Sequence, residues 1–122
     1  MDKLSVRLIN AVSATTTSDG VDVSSFSKLS LQFSVTDVAT GNGVYTVDVS
    51  NDNGTTWVPY NRLISNVTNT NVQTDTKVAS VTLNTSATKA MVFIPTDDKF
   101  QMLRVTVTYT TAGKYSAILL AV

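Results

Sequence analysis

The chain has 122 residues, 43% hydrophobic and 15% charged, with nine Lys and Arg matching nine acidic residues and neither cysteine nor histidine. That length suits one domain, whose core buries roughly two thirds of the surface of the unfolded chain and needs no disulfide or structural metal. Without Cys and His, thiol nucleophiles, Cys/His metal centres and His-based triads are excluded, and zero net charge removes the overall field that steers proteins to nucleic acid or anionic membranes.

All nine acidic residues are Asp, none is Glu, and Thr, Ser, Val and Asn abound. Helices favour Glu, Lys, Leu and Ala, whereas Val and Thr fit a pleated surface and Asp, Asn and Ser fit turns, so the expected class is all-β. In chain order, alternation of apolar and polar residues starts weakly at Leu4, Val6 and Leu8, and returns at Val21, Val23 and Phe26. It is cleanest at Leu29, Leu31, Phe33 and Val35, with Ser30, Gln32, Ser34 and Thr36 on the other face. Tyr45, Val47 and Val49 make a second clear strand. Residues 64–76, where Asn66, Asn69, Asn71 and several Thr interleave with Val67 and Val72, read as a long exposed loop. Strands then follow at Ala79, Val81 and Leu83, at residues 91–94, and at Leu103, Val105, Val107 and Tyr109. At the carboxyl end Tyr115, Ala117, Leu119 and Ala121 alternate with Ser116, Ile118, Leu120 and Val122, so both faces are apolar. Such a strand is central within the domain, or its outer face is covered by another subunit. Turn chemistry at Asp19-Gly20, Gly41-Asn42-Gly43, Asn51-Asp52-Asn53-Gly54, Pro95-Thr96-Asp97-Asp98 and Gly113 separates about eight or nine strands. The expectation is a single antiparallel β-sandwich or jelly-roll-like domain over residues 1–122.

Catalytic residue types are scarce. Asp97-Asp98 is the only adjacent carboxylate pair, and after Pro95 it reads as a turn. Asn51-Asp52-Asn53-Gly54 resembles part of a calcium loop in composition, but a chain without Glu lacks the bidentate ligand of an EF-hand, and a tight turn explains it better. No phosphate-binding glycine loop or nucleophile elbow is present. We therefore expect no catalytic, cofactor-binding or metal-binding residues and no enzyme activity. Basic residues are dispersed at Lys28, Arg62, Lys77, Lys89, Lys99, Arg104 and Lys114, which gives no nucleic-acid stripe. The longest apolar run covers residues 117–122, well short of the roughly 20 that cross a bilayer, and no basic segment followed by an apolar one opens the chain. Neither a membrane partner nor a secretory signal is expected.

Three segments together, residues 14–35 (ATTTSDGVDVSSFSKLSLQFSV), 45–60 (YTVDVSNDNGTTWVPY) and 103–120 (LRVTVTYTTAGKYSAILL), resemble a pattern common among small structural proteins of tailed bacteriophages. In those proteins a Gly-Val-Asp-Val start and a Leu/Phe strand precede a strand ending in Ser-Asn-Asp-Gly-Thr-Thr-Trp, and a Leu-Arg-Val strand closes the domain. This chain inserts Asn53 into that turn. The resemblance implies a β-domain in which Trp57 caps one end of the sandwich. Its implied role is a non-enzymatic virion protein, foremost a capsid decoration or cement protein that bridges capsid subunits, made in the host cytoplasm and displayed on the particle surface. The implied partners are the major capsid protein or other virion subunits, with a homotrimer suited to quasi-threefold positions. Met1, Asp2, Lys3 and Leu4 at one end, and Tyr115, Ile118, Leu120 and Val122 at the other, are the candidate capsid or subunit contacts. The alternative implied role is a tail, baseplate or receptor-binding module, in which Trp57 and Tyr60 stack on a host-surface glycan.

Overall fold

A computed structural model describes residues 3–37, 42–67, 72–83 and 89–122; the backbone alone is described for residues 66–67 and 72–76. Twelve strands form among them: β1 (Leu4–Val12), β2 (Thr16–Thr17), β3 (Val21–Asp22), β4 (Leu29–Thr36), β5 (Gly43–Ser50), β6 (Val58–Tyr60), β7 (Leu63–Val67), β8 (Val72–Val78), β9 (Val81–Leu83), β10 (Lys89–Ile94), β11 (Met102–Tyr109) and β12 (Lys114–Ala121). The first sheet has the order β1-β12-β4-β10-β7-β8. The second runs β2-β11-β5-β6, with β3 also on β11 and β9 also on β5. Every pairing is antiparallel.

The all-β sandwich expected from the sequence is thus observed, with twelve strands in place of eight or nine. The strands not expected are β2 and β6, pieces of two and three residues too short for alternation to register, and the pair β7 and β8. The three cleanest alternations and the doubly apolar carboxyl strand became the framework: β4 and β12 pair over eight residues, as do β5 and β11. Residues 64–76 are not a loop. They contain most of the β7/β8 hairpin, whose tip at residues 68–71 lies outside the described residues. Asn and Thr hid it because backbone groups make the ladder whatever the side chains are.

Inward side chains of the two sheets form one core. Leu31, Phe33 and Val35 of β4, Tyr115, Ala117 and Leu119 of β12 and Val92 of β10 face Tyr45 and Val47 of β5 and Leu103, Val105 and Val107 of β11. Across the sheets Phe33 stacks on Tyr45, with ring centroids 4.2 Å apart and planes 8° from parallel. The Tyr45 hydroxyl lies 2.9 Å from the Ser34 carbonyl and 3.0 Å from that of Ser116, so one proton is shared between neighbouring strands of the opposite sheet. Burial pushes this hydroxyl well above the usual tyrosine range. Beside it Gly43 is required by close approach, because a Cβ there would lie 2.2 Å from a Tyr115 ring carbon.

The amino-terminal segment crosses between the sheets. β1 pairs regularly with β12 from Leu4 to Arg7, then loses register twice, with Ala11 at a φ of 50°, before β2 joins β11 in the second sheet. Such bulges bend a strand and blunt an edge against further pairing.

Candidate functional site

Three regions carry the polar and exposed apolar groups from which a site is assembled. The first is the connection from β5 to β6. Asn53 and Gly54 have φ values of 60° and 84°, and the Thr55 N–H donates to the Asp52 carbonyl at 3.3 Å, as in a tight turn with two left-handed central residues. The Ser50 hydroxyl donates to Asp52 Oδ1 at 2.8 Å and accepts from the Gly54 N–H at 3.0 Å. The Thr56 N–H, also 2.8 Å from Asp52 Oδ1, is the largest cause holding this carboxyl below the usual range, followed by Ser50. Trp57 then lies back over the outer face of the second sheet. The Arg104 guanidinium stacks 4.4 Å from its ring centroid and is paired with Asp48 at 3.2 Å. Along its far edge the indole closes on Gly20, where a Cβ would come within 2.8 Å of the ring. Beside the turn is an open recess of about 440 Å³, lined by Val49, Ser50, Asn51, Asp52, Thr56 and Val58. Its carboxylate is engaged with the turn's own donors, so the recess offers a mostly apolar surface.

The second region joins the sheets at one end. Tyr60, from β6, donates its hydroxyl to Asp98 Oδ2 at 2.6 Å, and Arg62 Nε donates to the same oxygen at 2.8 Å. Asp98 follows β10 in a turn closed by its own N–H on the Pro95 carbonyl at 3.0 Å. The Tyr60 hydroxyl, and after it Arg62, holds the Asp98 carboxyl below the ordinary range, while burial first and then Asp98 raise the Tyr60 hydroxyl. Asp98 is thus committed to Tyr60 and Arg62, while Asp97 is exposed. The arrangement is a polar clasp.

The third region is the outer face of the first sheet. Register places Ser5, Leu120, Ser30, Phe93 and Ile64 in one transverse row, and Arg7, Ile118, Gln32 and Met91 in the next. Leu120 and Phe93 are each 39% exposed, while Ile118, Met91 and Ile64 are half-buried.

The sequence-derived candidates distribute unevenly over these regions. Met1 and Asp2 lie outside the described residues, Lys3 is exposed, and Leu4 is half-buried as the first residue of β1 on β12, integral to the sheet. Tyr115 is fully buried, a correction to its placement among contact residues: its ring packs edge-on against Tyr45 and its hydroxyl donates to the Ala112 carbonyl at 2.8 Å. Ile118 and Leu120 do face outward on β12, and Val122 is half-buried where its N–H donates to the Lys28 carbonyl at 3.0 Å. For the glycan alternative, Tyr60 is only 8% exposed and is committed to Asp98, so it is not a surface stacking platform. Trp57 is half-buried with one ring face taken by Arg104. Sequence reading missed Met91 and Phe93 as partners of Ile118 and Leu120; the signal was the absence of a charge at the outward positions 91 and 93 of β10.

No protein-family model matches the chain, and no curated protein matches it. Among solved structures it is similar to the SPBc2 prophage-derived protein YomS, with a TM-score of 0.66 over 98% of this chain and 92% of that one, at 14% sequence identity. The two proteins share a fold from end to end.

Proposed function

We propose that this chain is a non-enzymatic structural protein of a bacteriophage particle, and that it decorates the capsid by bridging capsid subunits. The observation that carries the reading is the near-complete superposition on a prophage-derived protein, which agrees with the resemblance in residues 14–35, 45–60 and 103–120 to small phage structural proteins. The polar geometry supports it: Asp52, Asp98 and Asp48 are each engaged in a turn, a clasp or a surface stack within the domain. A cement protein works by mass action, occupying many equivalent sites and stabilising the assembled shell over its separated subunits. The surface for that task is the exposed apolar material on β12 and β10, since apolar area removed from water supplies most of the drive for protein association.

The test is co-sedimentation of the purified chain with expanded, empty capsids of the phage or prophage whose genome carries it. Saturable pelleting at a fixed ratio to the capsid protein, accompanied by a higher temperature of capsid disruption, is the expected result. A chain that stays in the supernatant at every concentration, with capsid stability unchanged, refutes the reading.

A further inference from the structure

Zero net charge conceals a separation of sign between the two outer faces of the sandwich. On the first sheet Arg7 of β1, Lys77 of β8 and Lys89 of β10 take outward positions, opposite Ile118, Ile64 and Ser34 of the neighbouring strands. Lys28 joins them just before β4, where its backbone exchanges two hydrogen bonds of 3.0 Å with Val122. No carboxylate occupies an outward position of these strands among the described side chains. The acids around the face are Asp37, paired with Lys114 at 3.1 Å, and Asp97 and Asp98 in the turn beyond β10, of which Asp98 is held by Tyr60 and Arg62. The second sheet shows the reverse. Asp48 and Asp22 point outward from it, Asp19 and Asp52 stand in adjoining turns, and its outward cation among the described side chains is Arg104, already paired with Asp48.

We infer that the first sheet's outer face takes an acidic protein surface: an apolar patch flanked by Asp and Glu carboxylates on the outer wall of the capsid. The inference rests on the decoration reading and adds the chemistry of the surface that is decorated. Leu120 and Phe93, each 39% exposed, supply the centre that is desolvated, and the surrounding cations supply a rim of one sign. A rim of that kind selects a partner of opposite charge, speeds its encounter and rejects basic surfaces by like-charge repulsion. The same cations would attract other polyanions, but the apolar centre decides among them. A nucleic-acid backbone has no apolar surface with which to cover Leu120 and Phe93. Side chains that lie this flat on a sheet give a bilayer little to receive among its acyl chains. A second copy's acidic face does not fit either, because its aspartates are engaged at home and it presents Thr17, Thr46, Thr106 and Thr108 where an apolar patch is needed.

The test is co-sedimentation of the full chain with empty capsids at about 0.05 and about 0.5 M salt, for the wild type, Arg7→Glu/Lys28→Glu, Arg7→Lys and Asp19→Lys. The wild type is expected to bind about tenfold more weakly at the higher salt. The double reversal is expected to weaken binding at least about tenfold at the lower salt, and to lose most of that difference at the higher one, where screening is strong. Arg7→Lys keeps the charge and Asp19→Lys alters the far side of the sandwich, so both should bind within about twofold of the wild type. Arg7 and Lys28 are exposed in the isolated chain, so circular dichroism should show the same β-structure in the double variant. Capsid binding that is indifferent to salt or to the double reversal, or that tightens with it, overturns the inference and leaves decoration standing. A chain that stays in the supernatant at both salts removes decoration and the inference with it. Pelleting with phosphatidylglycerol vesicles or duplex DNA, or self-association of the chain alone, overturns it too if the double reversal abolishes that binding and spares the capsid's.

Discussion

The Tyr45 hydroxyl offers a sharp test of how the sandwich is held together. Tyr45→Phe keeps the ring, its stack on Phe33 at 4.2 Å and its edge contact with Tyr115 at 6.3 Å, and removes one oxygen. That oxygen stands within 3.0 Å of two carbonyls, Ser34 on β4 and Ser116 on β12, so its loss leaves acceptors of the opposite sheet short of a donor. A buried hydrogen bond of this kind contributes about 1 kcal/mol net, and stranding its acceptors brings the cost to about 1–2 kcal/mol. With an unfolding entropy of about 2.1 cal/mol/K per residue over 122 residues, each kcal/mol moves Tm by about 4 °C, so Tm should fall by about 4–8 °C. Calorimetry alongside urea denaturation measures both quantities, and an unchanged urea slope would show that the fold persists. A variant that melts within about 1 °C of the wild type would refute the reasoning, because it would mean that the hydroxyl does not join the sheets.

Other consequences follow from single groups. Gly43→Ala places a methyl 2.2 Å from the buried Tyr115 ring and should cost about 1–3 kcal/mol by urea denaturation; a neutral result would mean that the ring yields freely. Ser65 is 7% exposed and its hydroxyl has no partner among the described residues, so Ser65→Ala should raise stability by about 1 kcal/mol, and a loss would reveal a partner for that oxygen. Asp22, Asp52 and Asp98 all have folded values below the usual carboxylate range. Their contribution is therefore present above the unfolded value of about 4 and is lost as pH falls through the lower folded values. Tm should hold nearly level from about pH 7 to about pH 5 and drop below about pH 4, with a shallower acid limb in Asp98→Asn; stability that rises on acidification would contradict this.

The strands that are half-buried and long were legible because their two faces meet different solvents. Leu31, Phe33 and Val35 face the core and Gln32 faces water, so period-two alternation survives in the sequence. Where a segment is short, as in β2, or edge-lying and polar, as in β8, backbone pairing forms without that signature. The doubly apolar β12 was read as central or as covered by a partner, and in the fold it is central between β1 and β4 with Leu120 still exposed. Tyr115 shows the limit of pattern reading: the phase that puts Ile118 and Leu120 outside puts Tyr115 inside, beside Gly43, a neighbour 72 positions away in sequence. The outward patch was equally out of reach, because Phe93 and Leu120 come together only when β4 is inserted between β10 and β12.

The decoration role is tested most directly by cryo-electron microscopy of particles assembled with and without the chain. The account predicts sandwich-shaped density on the outer capsid surface, spanning neighbouring capsid subunits and missing from the particles that lack the chain. Density confined to the tail or baseplate, or two identical capsid surfaces, would contradict it.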